Sequence, residues 1–300
     1  MGFRTVVIQS PCKLSYKDGF LIVRGDEVRT IHISEIHTLI VETTMVTVTG
    51  YLLCELMKEK INVVFCDEKR SPVGELHPCY GSHDTAGRLA EQACWPGERK
   101  SLLWQSLVRQ KIMHQGRLLE PIDSRAAEMI YTFAGNVEPD DETNREGHAA
   151  KVYFNRIFGS GFSRQLKSDK NAALDYGYSI LLSLFNREIV ARGYCTQLGI
   201  HHHNPFNQFN LASDLMEPFR ILIDRIVLQQ KDAVFDKAYK HILVGVLSTP
   251  VRYNNQNMLL TTAVTRFVRN TTEYLSGRIE WSESMVYCYE DTADATDCDV

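Results

Sequence analysis

The hydrophobic pattern changes character near residue 100, and that change limits the possible folds more than any other feature. Before it, apolar residues come in short runs rich in Val, Ile, Thr and aromatics, at 5–9, 14–17, 20–23, 28–33 and 38–41. Such runs are strand formers. Asp18-Gly19 separates two of them and is a hairpin-turn dipeptide. Thr49 reads as the N-cap of a short helix over 50–60, whose Leu52, Leu53, Leu56 and Met57 fall at helical spacing. A buried strand over 61–66 follows, and then 71–97, with three prolines and four glycines, reads as an irregular arm.

After residue 100 the period lengthens. Leu102, Leu103, Ser106, Leu107, Ile112 and Met113 open a helical series, with further helices expected over 123–133, 144–158, 171–192, 214–229 and 258–275. Gly135, Pro139, Gly193, Gly199, Pro205 and Pro250 punctuate the gaps. The pattern predicts an α+β chain: a small N-terminal β-rich domain (1–97), then a larger all-helical domain (98–289). Residues 290–300 form an acidic tail with too little apolar content to order, and disorder is expected there.

Hydrophobic residues at 44% and charged residues at 23% describe an ordinary globular chain. No apolar run reaches the roughly 18–20 residues that a membrane span needs. The N-terminal apolar run is too short for a signal peptide, so a soluble cytoplasmic protein is expected. The eight cysteines form no CxxC pair, which disfavours a zinc ribbon, a redox dithiol or a disulfide framework.

Net charge is −4, which by itself argues against a nucleic-acid coat. Its distribution argues otherwise. Residues 101–289 hold 21 basic and 19 acidic side chains, whereas the tail 290–300 holds five acids and no base. Fourteen of those 21 basic residues are arginine, whose planar fork suits phosphate. The alternative is arginine as solubiliser and carboxylate partner.

Three segments carry candidate chemistry. On a helix, Glu146, Ala150, Tyr153 and Ile157 share one face, and that face is otherwise apolar. A carboxylate there needs a cation, a metal or a hydrogen-bond partner; an arginine salt bridge is the structural alternative. The second segment, LGIHHHNPFNQFNL, has His201, His202 and His203 in a row. In an extended chain His202 points away from its two neighbours, so all three cannot readily bind one ion. In the third, Ser213 reads as an N-cap, with Asp214 and Glu217 on one face of the first turn before Pro218. Ordinary acid enrichment at a helix start explains Asp214, while Glu217 can join a carboxylate–histidine cluster. Two carboxylates and one imidazole suit Mg²⁺ or Mn²⁺ better than a thiolate-seeking ion. With excess arginine, such a site points to phosphodiester chemistry.

At these residues the chain resembles the CRISPR-associated integrase family that inserts new spacers into the CRISPR array. NREGHAAKVYF resembles the family's glutamate helix, QLGIHHHNPFNQFNLASDLMEPFR its histidine loop and second acidic helix, and NAALDYGYSILLS the helix between them. HISEIHTLIVETTMVTVTGYLLCELMKEKINVVFCD resembles its β domain. The histidine loop is most similar to the branch whose loci encode a single RNA-guided effector nuclease (type II-like).

The resemblance implies Glu146, His202 and Glu217 as catalytic metal ligands. His202 stands three residues after Gly199, as in the family, and His201 is the register alternative. More distant relatives often have aspartate at position 217. The implied reaction is transesterification: the 3′-hydroxyl of a short double-stranded DNA fragment attacks a phosphodiester at the edge of a CRISPR repeat. The resemblance further implies a homodimer; the β domain, near neutral in charge and without a matching carboxylate–histidine set, is expected to serve assembly. It also implies a small ferredoxin-like CRISPR partner, forming a heterohexamer of two integrase dimers on one partner dimer, and the effector nuclease of the same locus as a further candidate partner. Arg145, Lys151, Arg220 and Arg225 are candidate DNA contacts, each with the alternative of pairing a nearby acid. Hydrolysis by the same metal site, using water, and a non-catalytic DNA-binding scaffold are the competing readings.

Overall fold

Strand formers in the first third of the chain build two four-stranded sheets. The computed structural model describes residues 2–79, 81–230, 233–282, 285 and 287–288. In order come β1 (Arg4–Ile8), β2 (Cys12–Lys17), β3 (Phe20–Arg24), β4 (Val28–His32), β5 (Ile36–Val41), β6 (Val46–Val48), α1 (Gly50–Lys58), β7 (Asn62–Cys66) and β8 (Pro72–Leu76). One sheet has the order β4-β3-β2-β6 and the other β1-β5-β7-β8. Asp18 and Gly19 take positive φ of 48° and 86° and close the β2–β3 hairpin. In the second sheet β1, β5 and β7 run parallel. β5 is buried along its whole length, as a central parallel strand must be. The Thr49 hydroxyl caps α1 at the Leu52 amide, 3.4 Å away, and turns the buried Leu52 and Leu56 into the core with Leu14, Leu21, Leu39 and Val63.

The rest of the chain is α2 (Thr85–Ala93), α3 (Gly97–Leu119), α4 (Ser124–Gly135), α5 (Arg145–Phe158), α6 (Asp169–Ala191), α7 (Asn210–Met216), α8 (Ile221–Gln229), α9 (Lys237–Val244), β9 (Pro250–Tyr253), β10 (Gln256–Leu259), α10 (Leu260–Leu275) and β11 (Tyr287–Cys288). The chain divides into two compact units, Met1–Ala90 with Leu182–Cys195, and Glu91–Leu181 with Thr196–Val300. The first unit thus includes the end of α6, where Arg187 Nε donates to the Lys60 carbonyl at 2.8 Å. In the second unit α3 is the packing axis. A Cβ on its Gly116 would lie 2.3 Å from the Tyr131 ring of α4, so only glycine permits that approach. No helix among the described residues is long and apolar enough to cross a membrane.

The β-then-helical architecture matches the expectation, with three local corrections. The arm over 71–97 contains β8 and α2. Pro72 is tolerated because β8 lies at the sheet edge. The helical part also holds a small sheet in the order β10-β9-β11. Its hairpin turns at Asn254 and Asn255, with φ of 49° and 58°; that Asn-Asn pair was the available signal. The helix expected over 214–229 begins earlier, at Asn210, and breaks at Glu217–Phe219 into a 3₁₀ turn. Pro218 has no N–H and its ring crowds the carbonyl four residues back, so an unbroken α-helix is lost there. The acidic tail lies outside the described residues.

Candidate active site

The site is assembled in the second unit from α3, the start of α5, the loop before α7 and the 3₁₀ turn after it. Two local devices place Glu146. Asn144, in a left-handed conformation, accepts the Gly147 amide at 3.2 Å. The Asp141 carboxylate accepts the Arg145 and Glu146 amides at 2.8 and 3.0 Å. The first turn of α5 is thereby satisfied and its positive end meets an acid. Of the face expected from the sequence, Tyr153 and Ile157 are buried; Ala150 is only half-buried, and its neighbour Ala149 is the buried alanine. Glu217 is set by the break at Pro218 and is 4% exposed.

Lys111 of α3 joins the two carboxylates. Its ammonium donates to Glu146 Oε1 and, at 2.6 Å, to Glu217 Oε2. Arg220 Nη2 pairs with the other Glu217 oxygen at 2.9 Å. Burial opposes the charges of Lys111, Glu217 and Arg220, and the opposite charges outweigh it. Lys111 is held above the ordinary lysine value by Glu217 and Glu146. Glu217 is held below the ordinary carboxylate value by Arg220 and Lys111.

The histidine loop is folded around Asp214, which is fully buried. Asp214 Oδ2 accepts the amides of Ile200 at 2.7 Å and His201 at 3.1 Å, and Oδ1 accepts the amide of His202 at 3.1 Å. Oδ1 also bonds His202 Nδ1. That bond raises the His202 pKa, against the opposing effect of burial. With Nδ1 tied down, Nε2 is the ring nitrogen left for a ligand. Gly199 lets the loop close this tightly, because a Cβ there would lie 2.5 Å from the His202 carbonyl oxygen and 2.7 Å from Asp214 Oδ2. His201 stacks on Trp104 with ring centroids 4.3 Å apart and planes 5° apart. The rings of Trp104 and His202 lie nearly perpendicular with centroids 5.6 Å apart, and His203 is exposed.

A cleft of about 170 Å³ adjoins Glu217. Lys111, Gln115, Arg164, Tyr178, Arg220 and Asp224 are among its lining residues. Asp224 accepts from Tyr178 and, at 3.0 Å, from Tyr153. Burial pushes its carboxyl up to about 6, although both tyrosine hydroxyls work the other way. The Arg220 guanidinium lies 4.8 Å from the Tyr178 ring centroid.

The structure therefore places Glu146 and Glu217 on one cation, with an oriented His202 in the same unit. Among the described residues no three His, Cys, Asp or Glu side chains already form a metal cage. The donor chemistry nevertheless fits a hard divalent ion: two carboxylates converge on one positive charge, and a carboxylate-anchored imidazole offers one nitrogen. Of the candidate DNA contacts, Arg220 is engaged with Glu217; Arg145 and Arg225 are half-buried and Lys151 is exposed.

Asp214 needs a correction: it is not a helix-start acid but the buried hub of the histidine loop, and Ser213 is not an N-cap, because α7 begins at Asn210. Lys111 was missed. Its signal was the one that marked Glu146, a charge on an otherwise buried helix stripe with Trp104, Val108 and Gln115.

The family described as "CRISPR associated protein Cas1" matches residues 5–240. The CRISPR-associated endonuclease Cas1 of Neisseria meningitidis serogroup C is 31% identical over 89% of this chain and 90% of its own length. Among solved structures, a casposase bound to integration product covers 96% of this chain and 94% of its own, with TM-score 0.78 and 17% identity. A Cas6-RT-Cas1–Cas2 complex covers 92% of this chain and 35% of its own, with TM-score 0.71 and 17% identity. By the span of the family match and the identity to the Neisseria protein, this chain belongs to the CRISPR-associated Cas1 family.

Proposed function

We propose that this chain is the divalent-metal-dependent DNA integrase of a CRISPR adaptation system, of the type II-like branch. One observation carries the reading: Glu146 and Glu217 converge on a single cation, with His202 held in one orientation by Asp214. The names of similar proteins support it, a CRISPR-associated endonuclease and a casposase bound to integration product. The Neisseria relative supports the branch.

Glu146, His202 Nε2 and Glu217 would hold Mg²⁺ or Mn²⁺. Bound there, the ion would supply Lewis-acid polarisation of a phosphoryl oxygen and stabilise charge in an in-line displacement. The chain's own groups do the rest. In the neutral ring Asp214 would keep the His202 proton on Nδ1 and leave Nε2 as the acceptor. Arg220, fixed by Glu217 and Tyr178, lines the cleft and would add positive charge beside a phosphate bound there. Arg145, Lys151 and Arg225 extend that path. In the reaction a DNA 3′-oxygen bonds to phosphorus, the bond to the 3′-oxygen of the repeat strand breaks, and the hydroxyl proton ends on the leaving oxygen. One phosphodiester replaces another, so no high-energy cofactor is consumed. The β-rich unit serves assembly: a homodimer joined to a small ferredoxin-like partner in a heterohexamer, a reading supported by the Cas1–Cas2 complex of like fold.

The word endonuclease in the relative's name favours a second reading, hydrolysis by the same residues. An array plasmid, the partner protein, Mn²⁺ and short duplexes ending in 3′-hydroxyl or 3′-deoxy separate the two. Joined product from the 3′-hydroxyl duplex alone supports integration. Nicking without joining, equal for both duplexes, supports hydrolysis.

A further inference from the structure

The Lys111 ammonium stands where a divalent ion held by Glu146 and Glu217 would carry its charge. Its side chain is 14% exposed, and that of Glu217 is 5% exposed. Two carboxylates brought this close in a poorly solvated place require a positive charge. Without an ion, Lys111 supplies it.

One turn further along α3, Gln115 is 3% exposed, and its Oε1 has no hydrogen-bond partner among the described residues. A buried carbonyl oxygen left so is unusual. Residues 111 and 115 are i and i+4, neighbours on one helix face. Both line the cleft beside Glu217, which gives the flexible lysine stem room to turn.

We propose that Lys111 is a displaceable internal cation. It bridges Glu146 and Glu217 when no divalent ion is bound, and turns to the Gln115 carbonyl when one is. The inference rests on the assignment of these two glutamates as metal ligands. Lys111 thus keeps the acidic pair assembled before the ion arrives, and it competes with the ion for them. Arg220 stays on Glu217 in both states.

Mn²⁺ binding to the full-length protein without DNA, followed by titration calorimetry, tests this. Lys111→Met should bind Mn²⁺ about tenfold more tightly than wild type, because no resident cation is displaced. Lys111→Arg, which keeps the charge, should stay near wild type. A wild-type experiment does not depend on how the variants fold. The rate of Lys111 acetylation by an amine-reactive ester, read by peptide mass spectrometry, should rise about fivefold or more when Mn²⁺ releases the ammonium from its two carboxylates. Unchanged Mn²⁺ affinity in Lys111→Met, or acetylation indifferent to Mn²⁺, overturns the proposal. Glu217→Gln tells this failure from that of the metal assignment. If it weakens Mn²⁺ binding, only the role of Lys111 falls; if it does not, the metal assignment falls as well.

Discussion

The imidazole of His202 is bonded through Nδ1 to Asp214, and the same carboxylate holds the His202 amide at 3.1 Å. Ring and backbone of one residue are thus fixed by one buried acid. Replacing Asp214 with Asn keeps the shape but removes the charge that three amides and a ring share. The variant should lose about 1.5–3 kcal/mol of stability in urea denaturation. Its strand joining should fall about 10- to 100-fold, as for other groups that orient a metal-binding histidine. Unchanged joining would mean that the Asp214 contact does not position His202 for chemistry.

The loop around Asp214 also shows what the sequence could reveal. Glu146 was legible because a helix period put a carboxylate among apolar residues, and the structure buries Tyr153 and Ile157 of that stripe. Asp214 was not legible. An acid four residues before Pro218 fits a helix start on local rules, and only the folded loop brings three amides to it. Hairpin β2–β3 was readable from Asp18-Gly19, a local code. Strand β8 was not, since its partner β7 decides its conformation and the segment has little strand propensity.

Gly199 should accept no side chain. Its Cβ would press on the His202 carbonyl and on Asp214 at 2.5 and 2.7 Å. Gly199→Ala is expected to cost about 1–3 kcal/mol, as overpacking does elsewhere. It should depress joining further than Gly116→Ala depresses it at matched folded fraction, since only Gly199 touches the histidine loop. Wild-type activity in Gly199→Ala would refute that placement.

The three histidines should separate in function. His202→Ala removes the ring that Asp214 anchors, and joining should vanish at saturating Mn²⁺ with the circular-dichroism spectrum retained. His201→Ala removes a stack on Trp104 and a perpendicular ring contact with His202 but no side-chain bond to Asp214, and His203 is exposed. Each of those variants should keep joining within about tenfold of wild type, roughly 1.4 kcal/mol of barrier. A dead His201 variant beside an active His202 variant would shift the register by one residue.

Asp224 makes stability depend on pH. Its folded-state pKa, about 6, lies above the ordinary aspartate value of 3.8. A group raised on folding contributes its stability fully below the unfolded value and loses it as pH rises through the folded one. The window is therefore pH 3.8 to about 6. A shift of this size corresponds to about 3 kcal/mol. Asp224→Asn should accordingly gain on wild type by about that amount between pH 4 and pH 7.5 in urea denaturation. A pH-independent difference between the two proteins would contradict burial as the cause.

The most direct measurement pairs joining with binding in the same samples. Wild type, Glu146→Ala and Glu217→Ala are each given the partner protein, 3′-hydroxyl duplex, array plasmid and Mn²⁺. Joined product is read on a gel, and duplex binding by fluorescence anisotropy. If the two glutamates and His202 form the catalytic metal site, both variants bind DNA within about threefold of wild type, a change worth under 1 kcal/mol, and neither yields joined product. Joining that persists in either variant, with DNA binding intact, would contradict that assignment.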